Sequence, residues 1–285
     1  MSSQPIQQPI QQRVQQPIQI VIPMAGRGQR FRDAGYAVPK PLIELDGCGL
    51  IEIVVANVTP TRPHRMIVCA LAEHLADGSL EATLRRVAPD VEIVVIDALT
   101  DGPATTVSLA APLLDPDAPL LVANSDQYVD IAIDDYLASL DTSDGSIMTF
   151  RCENDPKWSY VEYDEPILAN RKIIGVVEKV PVSDQATVGI YTYARAGDFL
   201  WATAEMRERD IRTNGEIYVA PGYTLLVRER RLALTTFDVS GRMHGLGVPA
   251  DLERFTGPVR DGATARVRAL RDRQTSAAWE RAGAA

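Results

Sequence analysis

The residues best suited to chemistry lie between Ile20 and Leu42, where the chain reads IVIPMAGRGQRFRDAGYAVPKPL. Gly26 and Gly28 free the backbone to come close to a ligand and turn its amides inward. Arg27, Arg30, Arg32 and Lys40 crowd around them against one acid, Asp33, although the whole chain carries 29 basic and 38 acidic residues. A local reversal of charge beside turned-in amides suits an anion, and a polyphosphate best. Pro39 and Pro41 flank Lys40 and stiffen its approach. Downstream, Asn124-Ser125-Asp126-Gln127 follows the apolar run Leu120-Leu121-Val122-Ala123 and sets a lone carboxylate at a strand end. Phosphate cradle, fixed cation and lone carboxylate together describe a nucleotide–Mg²⁺ site. A hard divalent ion needs one or two protein carboxylates and leaves its other positions to phosphate oxygens and water.

The elements that must position these residues follow from the apolar pattern. Short runs rich in Val, Ile and Leu predict strands at 19–23, 65–70, 91–96 and 119–123, with helices between them at 50–58, 72–87 and 104–114. That alternation predicts βαβ units and a mostly parallel sheet covered on both faces, with ligands at the carboxyl ends of the strands. The Gly-Arg loop and the Asn124–Gln127 loop should therefore face one crevice. The second half reads as strands at 146–151, 158–163, 172–178, 187–193 and 232–238, with helices near 196–209, 218–229 and 249–255. We place the change of character near residue 150 and expect it to extend the same sheet. The Gln/Pro-rich repeat of residues 1–18 cannot sustain a helix and predicts a disordered arm. The domain proper then spans 19–257, as a nucleotide half (about 19–150) and an acceptor half (about 151–257). Residues 258–285 read as a helical tail, whose six arginines against three acids suggest a solvated face.

Composition sets limits on function. A net charge of −9 argues against nonspecific nucleic-acid or membrane binding. No apolar stretch is long enough to span a bilayer, and the N-terminus lacks a signal-peptide pattern, so a cytoplasmic location is expected. Cys48, Cys69 and Cys152 are too far apart for a zinc site or disulfide scaffold, and Cys69 should be a buried thiol. His64, His74 and His244 read as structural or surface residues, His244 having the best residual case for a role in the site.

Gly26-x-Gly28-x-Arg30-Phe31, Pro39-Lys40-Pro41, Asn124-Ser125-Asp126 and Glu178-Lys179 together resemble the sugar-phosphate nucleotidyltransferases (NDP-sugar pyrophosphorylases). The resemblance spans residues 20 to about 255 and implies an α/β fold, Rossmann-like and glycosyltransferase-A-like, with a mixed, mostly parallel sheet and helices on both faces. It implies that Arg30 and Lys40 are catalytic, neutralising charge on the triphosphate and the transferring phosphorus, and that Asp126 holds Mg²⁺. Ala25, Gly26, Arg27, Gly28, Gln29, Asn124 and Ser125 would bind the nucleotide, with Thr100 and Gly102 in the base-reading loop. Glu178, Lys179, Gly189, Tyr191, Asn214 and Glu216 would bind the acceptor.

The implied reaction transfers an NMP group from an NTP to a small phosphorylated acceptor, a sugar 1-phosphate first, and releases pyrophosphate. Such chemistry needs positioning and charge neutralisation, and no covalent nucleophile. A homodimer is a family-level expectation. Two departures stand out: Gln29 replaces the usual Ser or Thr, and Gly245 stands where many relatives carry a second metal-binding Asp, leaving Asp251 or Asp101 as candidates. The alternatives are a cytidylyltransferase for a non-sugar phosphate or phosphonate, a glycosyltransferase of the same broad fold, and a silent regulatory subunit. Simpler readings also exist: Asp126 as a helix cap, Glu178-Lys179 as a surface ion pair, and Asn214 and Glu216 as the start of the 218–229 helix.

Overall fold

Ile18–Met24 forms the central strand β1, so the last residue of the predicted arm already belongs to the sheet. The computed structural model describes residues 16–164 and 172–283, and residues 1–15 of the arm lie outside them. A short hairpin follows, β2 (Glu44–Leu45) and β3 (Cys48–Gly49), leading into the helix Leu50–Val58. Next come β4 (His64–Leu71), β5 (Glu92–Ile96), β6 (Leu120–Ala123) and the three-residue β7 (Gln127–Val129). The second half supplies β8 (Gly145–Arg151), β9 (Ser159–Tyr163), β10 (Ile173–Glu178), β11 (Gln185–Tyr193), β12 (Leu234–Asp238) and β13 (Met243–Gly245).

Nine of these strands make one mixed sheet in the order β10-β9-β11-β6-β1-β4-β5, with β8 also on β11 and β12 beside β8. β6, β1, β4 and β5 run parallel, and β11 joins the second half to them antiparallel to β6. β1, β6 and the Met66–Leu71 part of β4 are buried on both faces, which is why they read as unbroken apolar runs, while the edge strand β5 leaves Val95 exposed. Ile18, Ile20 and Ile22 pack toward one core with the helices Leu50–Val58 and Ser79–Val87 and the C-terminal helix Gly257–Gly283. Val21, Ile67 and Val122 pack toward the other, against the helices Pro103–Ser108, Ala196–Glu208 and Gly222–Arg230. Buried Gln19 is satisfied by both backbone groups of Asp115. The buried thiol of Cys69 is pushed up to about 12 by its apolar surroundings.

Several predicted boundaries move. The 72–87 helix breaks into Ala72–Leu75 and Ser79–Val87, because Gly78 adopts a left-handed φ of 76° and the Asp77 carboxylate accepts the Ser79 N–H. The 104–114 helix ends at Ser108, and a separate 3₁₀ turn covers Ala111–Leu113. The tail is not simply solvated. Ala263, Val267 and Leu270 are buried, and Arg260, Arg266, Arg268 and Arg271 reach Asp46, Asp130, the Asp46 carbonyl and Glu52. Glu52 lies fully buried on the Leu50–Val58 helix and takes hydrogen bonds from Arg86, Arg271 and the Gly49 N–H. No helix among the described residues is long and apolar enough to cross a membrane.

Candidate active site

At the carboxyl end of β1 the chain turns through Gly28, whose φ of 64° and ψ of 34° launch the short helix Gln29–Asp33. Phe31 anchors that helix in the core, and Arg30 faces the cleft. A Cβ on Gly28 would lie 3.0 Å from the Cβ of Lys40, so the glycine lets the Pro-Lys-Pro turn close onto the loop. Lys40, at the head of the 3₁₀ turn Lys40–Leu42, donates from Nζ to Asp126 Oδ2 at 3.0 Å. The predicted convergence of the two loops on one crevice is therefore direct contact.

Asp126 sits between β6 and β7, and the following element is a strand, so the helix-cap reading fails. Asn57 fixes β7 by bonding both backbone groups of Val129, at 2.7 and 2.8 Å. β7 pairs with β13, placing Gly245 opposite Gln127, and the Leu246 N–H donates to the Asp126 carbonyl at 2.7 Å. The Asp126 side chain is 37% exposed.

The cleft has a volume of about 690 Å³. Besides Arg30, it collects Asn124, Ser125, Asp126, Glu178, Lys179, Gly189 and Tyr191 from the sequence-based set. One of its walls is built where the start of β9 lies beside the end of β10, Ser159 opposite Glu178. The Ser159 hydroxyl donates to Glu178, which is 8% exposed, so the pair is no surface ion pair. Burial, aided by the Glu216 carboxylate, raises the Glu178 carboxyl above its ordinary range against the pull of the Ser159 hydrogen bond and the Lys179 charge. Lys179 holds a left-handed φ of 59°, with its N–H on the Trp158 carbonyl. Its Nζ donates to the Tyr218 hydroxyl at 2.5 Å and sits 4.4 Å from that ring's centre, while Tyr218 donates to Glu216. The Tyr191 hydroxyl pairs with Thr187 at 2.9 Å.

Other expected residues stand back from the cleft. Arg27 pairs with Glu73 and Gln29 with Asp33, while Ala25 and Gly26 belong to the loop but not to the cleft lining. Thr100 bonds Thr106, and Gly102, at φ 133°, packs so tightly that a Cβ would fall 2.5 Å from the backbone of Ile217. Their neighbour Pro103 lines the cleft instead. Asn214 and Glu216 line a second cavity of about 560 Å³, which shares Glu178 and Tyr218 with the cleft. They do not start a helix: Thr213 and Glu216 bridge a turn in which Asn214 has φ 51°, and the helix begins at Gly222. The His244 ring packs against Tyr128 and Phe255 outside the cleft lining, which ends its case for a direct role.

Sequence reasoning missed Tyr218 as a cleft residue. It weighed Lys157-Trp158-Ser159-Tyr160 as either a strand start or pocket lining and Asp251 as a candidate metal ligand. Lys157, Trp158, Ser159 and Asp251 do line the cleft. Trp158 carried a signal in Lys157-Trp158-Ser159-Tyr160, a strand start with aromatic and polar groups. Tyr218 gave none, since only folding brings it onto Lys179. Among the described residues no group of three or more His, Cys, Asp or Glu side chains gathers to hold a metal. The donor set still fits a hard cation that keeps most of its positions for phosphate and water. Asp126 is accessible and already attracts an ammonium, and Asp251 lines the same cleft. Asp101 bonds Arg212 outside the lining, so it does not fit that role.

A sequence model of the family described as Nucleotidyl transferase matches residues 19–216. Among solved structures, the chain resembles a nucleoside-diphosphate-sugar pyrophosphorylase from Vibrio cholerae RC9. Identity is 27%, coverage is 85% of this chain and 99% of that one, and the TM-score is 0.67. An inositol-1-phosphate CTP transferase from T. maritima shares the fold at 14% identity, 88% and 96% coverage and a TM-score of 0.65. So does a UDP-glucose pyrophosphorylase from Acinetobacter baumanii, at 18% identity, 84% and 92% coverage and a TM-score of 0.62. No curated protein matches the chain in sequence.

Proposed function

The chain belongs to the nucleotidyl transferase family, and from that premise we propose that it moves an NMP group from an NTP onto a phosphorylated acceptor, a sugar 1-phosphate before any other. The observation that carries this reading is one cleft lined by Arg30, Asp126 and Lys179, with Lys40 bound to Asp126. A reaction between two phosphates needs cations for both and a carboxylate for the metal that accompanies the nucleotide.

In this reading an acceptor phosphate oxygen attacks the α-phosphorus. The new P–O bond forms as the bond to the bridging oxygen breaks, and pyrophosphate leaves with the electron pair. Arg30 and Lys40 offset the charge on the triphosphate and the transferring group. Lys179 takes the acceptor phosphate, and Glu178 accepts hydrogen bonds from acceptor hydroxyls above the Gly189–Tyr191 strand. Asp126 would hold Mg²⁺, which supplies further neutralisation of the phosphate oxygens when bound. The walls of Trp158, Tyr191 and Tyr218 limit water around the reacting groups.

A second reading, cytidylyl transfer to a non-sugar phosphate, is favoured by the aromatic faces of Trp158 and Tyr218 beside Glu178, a surface suited to a less hydroxylated acceptor. A glycosyltransferase is disfavoured because Asn124-Ser125-Asp126 replaces an Asp-x-Asp metal motif. The test is a pyrophosphate-release screen with Mg²⁺, crossing the four NTPs and dTTP with sugar 1-phosphates and non-sugar phosphates. Release with one sugar 1-phosphate supports the first reading, and release only with CTP and a non-sugar phosphate moves the protein to the second. Silence across the panel overturns both.

A further inference from the structure

We propose that Glu73 and His74 are positioning residues for the nucleotide: Glu73 holds Arg27 in reserve, and when a triphosphate draws Arg27 away, Glu73 closes on His74, which takes up a proton. The inference rests on the nucleotidyl-transfer reading above. Neither Glu73 nor His74 lines the cleft, so both act through Arg27.

β1 and β4 run in register as far as Met24 and Ala70, so the Gly26–Gly28 loop and the short helix Ala72–Leu75 leave the same edge of the sheet. One carboxylate oxygen there stands between two partners. Glu73 Oε1 lies 3.2 Å from Arg27 Nε and 3.9 Å from His74 Nε2. The first contact is a hydrogen bond, and the second is too long for one. The His74 ring is 4% exposed, and among the described residues neither of its nitrogens has a hydrogen-bond partner. Buried polar atoms are seldom left so, because each forfeits its bonds to water. The charged groups facing the ring are Glu73 from its own helix, Arg32 from the helix Gln29–Asp33 and Arg27 from the loop. Burial holds the imidazole below its ordinary range; Glu73 opposes that, and the two arginines add to it.

The Arg27 side chain is 53% exposed, so it leaves Glu73 at little cost. A polyphosphate beside Arg30 offers it a stronger partner, because several phosphate oxygens carry more charge than one carboxylate. Its departure removes a positive charge that faces the imidazole and frees Glu73 Oε1 to move onto Nε2. Both changes favour the imidazolium. The bound state therefore holds the proton more tightly than the free state, and binding takes up protons. The extra affinity is complete below the free ring's pKa and is lost as pH rises through the raised, bound one.

The experiment is calorimetric titration of the full chain with inorganic tripolyphosphate and Mg²⁺ in two buffers of different ionisation enthalpy, which reads the protons exchanged. Pyrophosphate release is measured in parallel. Between about pH 6 and 7, wild type should take up more protons than His74→Gln, the ligand's own ionisation being common to both. Glu73→Gln changes a side chain that is 46% exposed, so it should fold even if His74→Gln does not. At about pH 8, where the ring stays neutral, it should bind tripolyphosphate about two- to five-fold more tightly than wild type, because Arg27 is already free. Its proton uptake at the lower pH should fall below that of wild type. Arg27→Gln should bind about ten-fold more weakly and lose the extra uptake. Wild-type proton uptake in His74→Gln or Glu73→Gln, or wild-type affinity in Arg27→Gln, overturns the proposal while leaving nucleotidyl transfer intact. No tripolyphosphate binding by the wild type overturns it as well, and only absent pyrophosphate release removes the functional reading beneath it.

Discussion

Replacing Gly189 by alanine tests whether the cleft floor is built as described. Gly189 lies in β11 at φ 92°, where the register against β8 slips between Thr187 and Tyr191. Its carbonyl accepts the Asn124 N–H at 2.9 Å. A methyl group there would fall 2.2 Å from Asn124 Nδ2, 2.9 Å from Asn124 Cγ and 2.8 Å from Gln127 Oε1. The left-handed backbone alone costs about 1–2 kcal/mol for a residue with a Cβ. The overlap adds about 1–3 kcal/mol, because Asn124 and Gln127 must both shift in a packed wall. The two terms separate with Gly241→Ala, since Gly241 has φ 76° and open space around its Cβ position. Urea unfolding should show Gly241→Ala losing about 1–2 kcal/mol with turnover kept, and Gly189→Ala losing about 1–3 kcal/mol more. Gly189→Ala should also lose most pyrophosphate release, because Asn124 moves beside Asp126. Equal stability and equal turnover in the two variants would refute the steric argument.

Lys40→Ala and Asp126→Ala should each lower pyrophosphate release about 10²–10³-fold with unchanged melting temperature, and near-native turnover in either would remove that residue from the catalytic set. Tyr218→Phe removes the hydroxyl that receives Lys179 but keeps the ring beneath it, so the acceptor KM should rise several-fold while kcat stays within about two-fold. A fall confined to kcat would sink the positioning role. Glu52→Gln should cost about 1–3 kcal/mol at neutral pH, the low side of a broken buried pair because Arg86 and Arg271 are partly solvated. Burial alone would raise the Glu52 carboxyl, yet hydrogen bonds from Arg86, Arg271 and Gly49 hold it below the ordinary range. Its contribution is therefore present above the unfolded-state value and is lost as pH falls through the lowered folded one. The gap between wild type and variant should narrow on acidification, and a pH-independent gap would refute the linkage.

What the sequence made legible follows physical range. Leu50–Val58 and the central strands β1, β4 and β6 were readable because burial on all sides leaves a dense apolar run, and such runs need no knowledge of partners. The loop bearing Arg30 and Lys40 was readable because its charge departs from the rest of an acidic chain. The three-residue strands β7 and β13 were invisible, since three residues carry no period; each exists because the other pairs with it and Asn57 pins one end. Asn214 and Glu216 were placed with the acceptor by resemblance. A left-handed turn at Asn214 sends both into the neighbouring cavity, leaving Tyr218 to meet Lys179. The tail arginines looked solvated because their acidic partners lie some 200 residues earlier, a separation no local pattern records. Asp251 joins both kinds of information: its spacing within Pro249–Arg254 marks a cap, while its place beside Gly245 and Asp126 arises only when β13 folds back onto β7. Local pattern therefore specified the scaffold and one charged loop, and tertiary pairing decided which side chains complete the cleft.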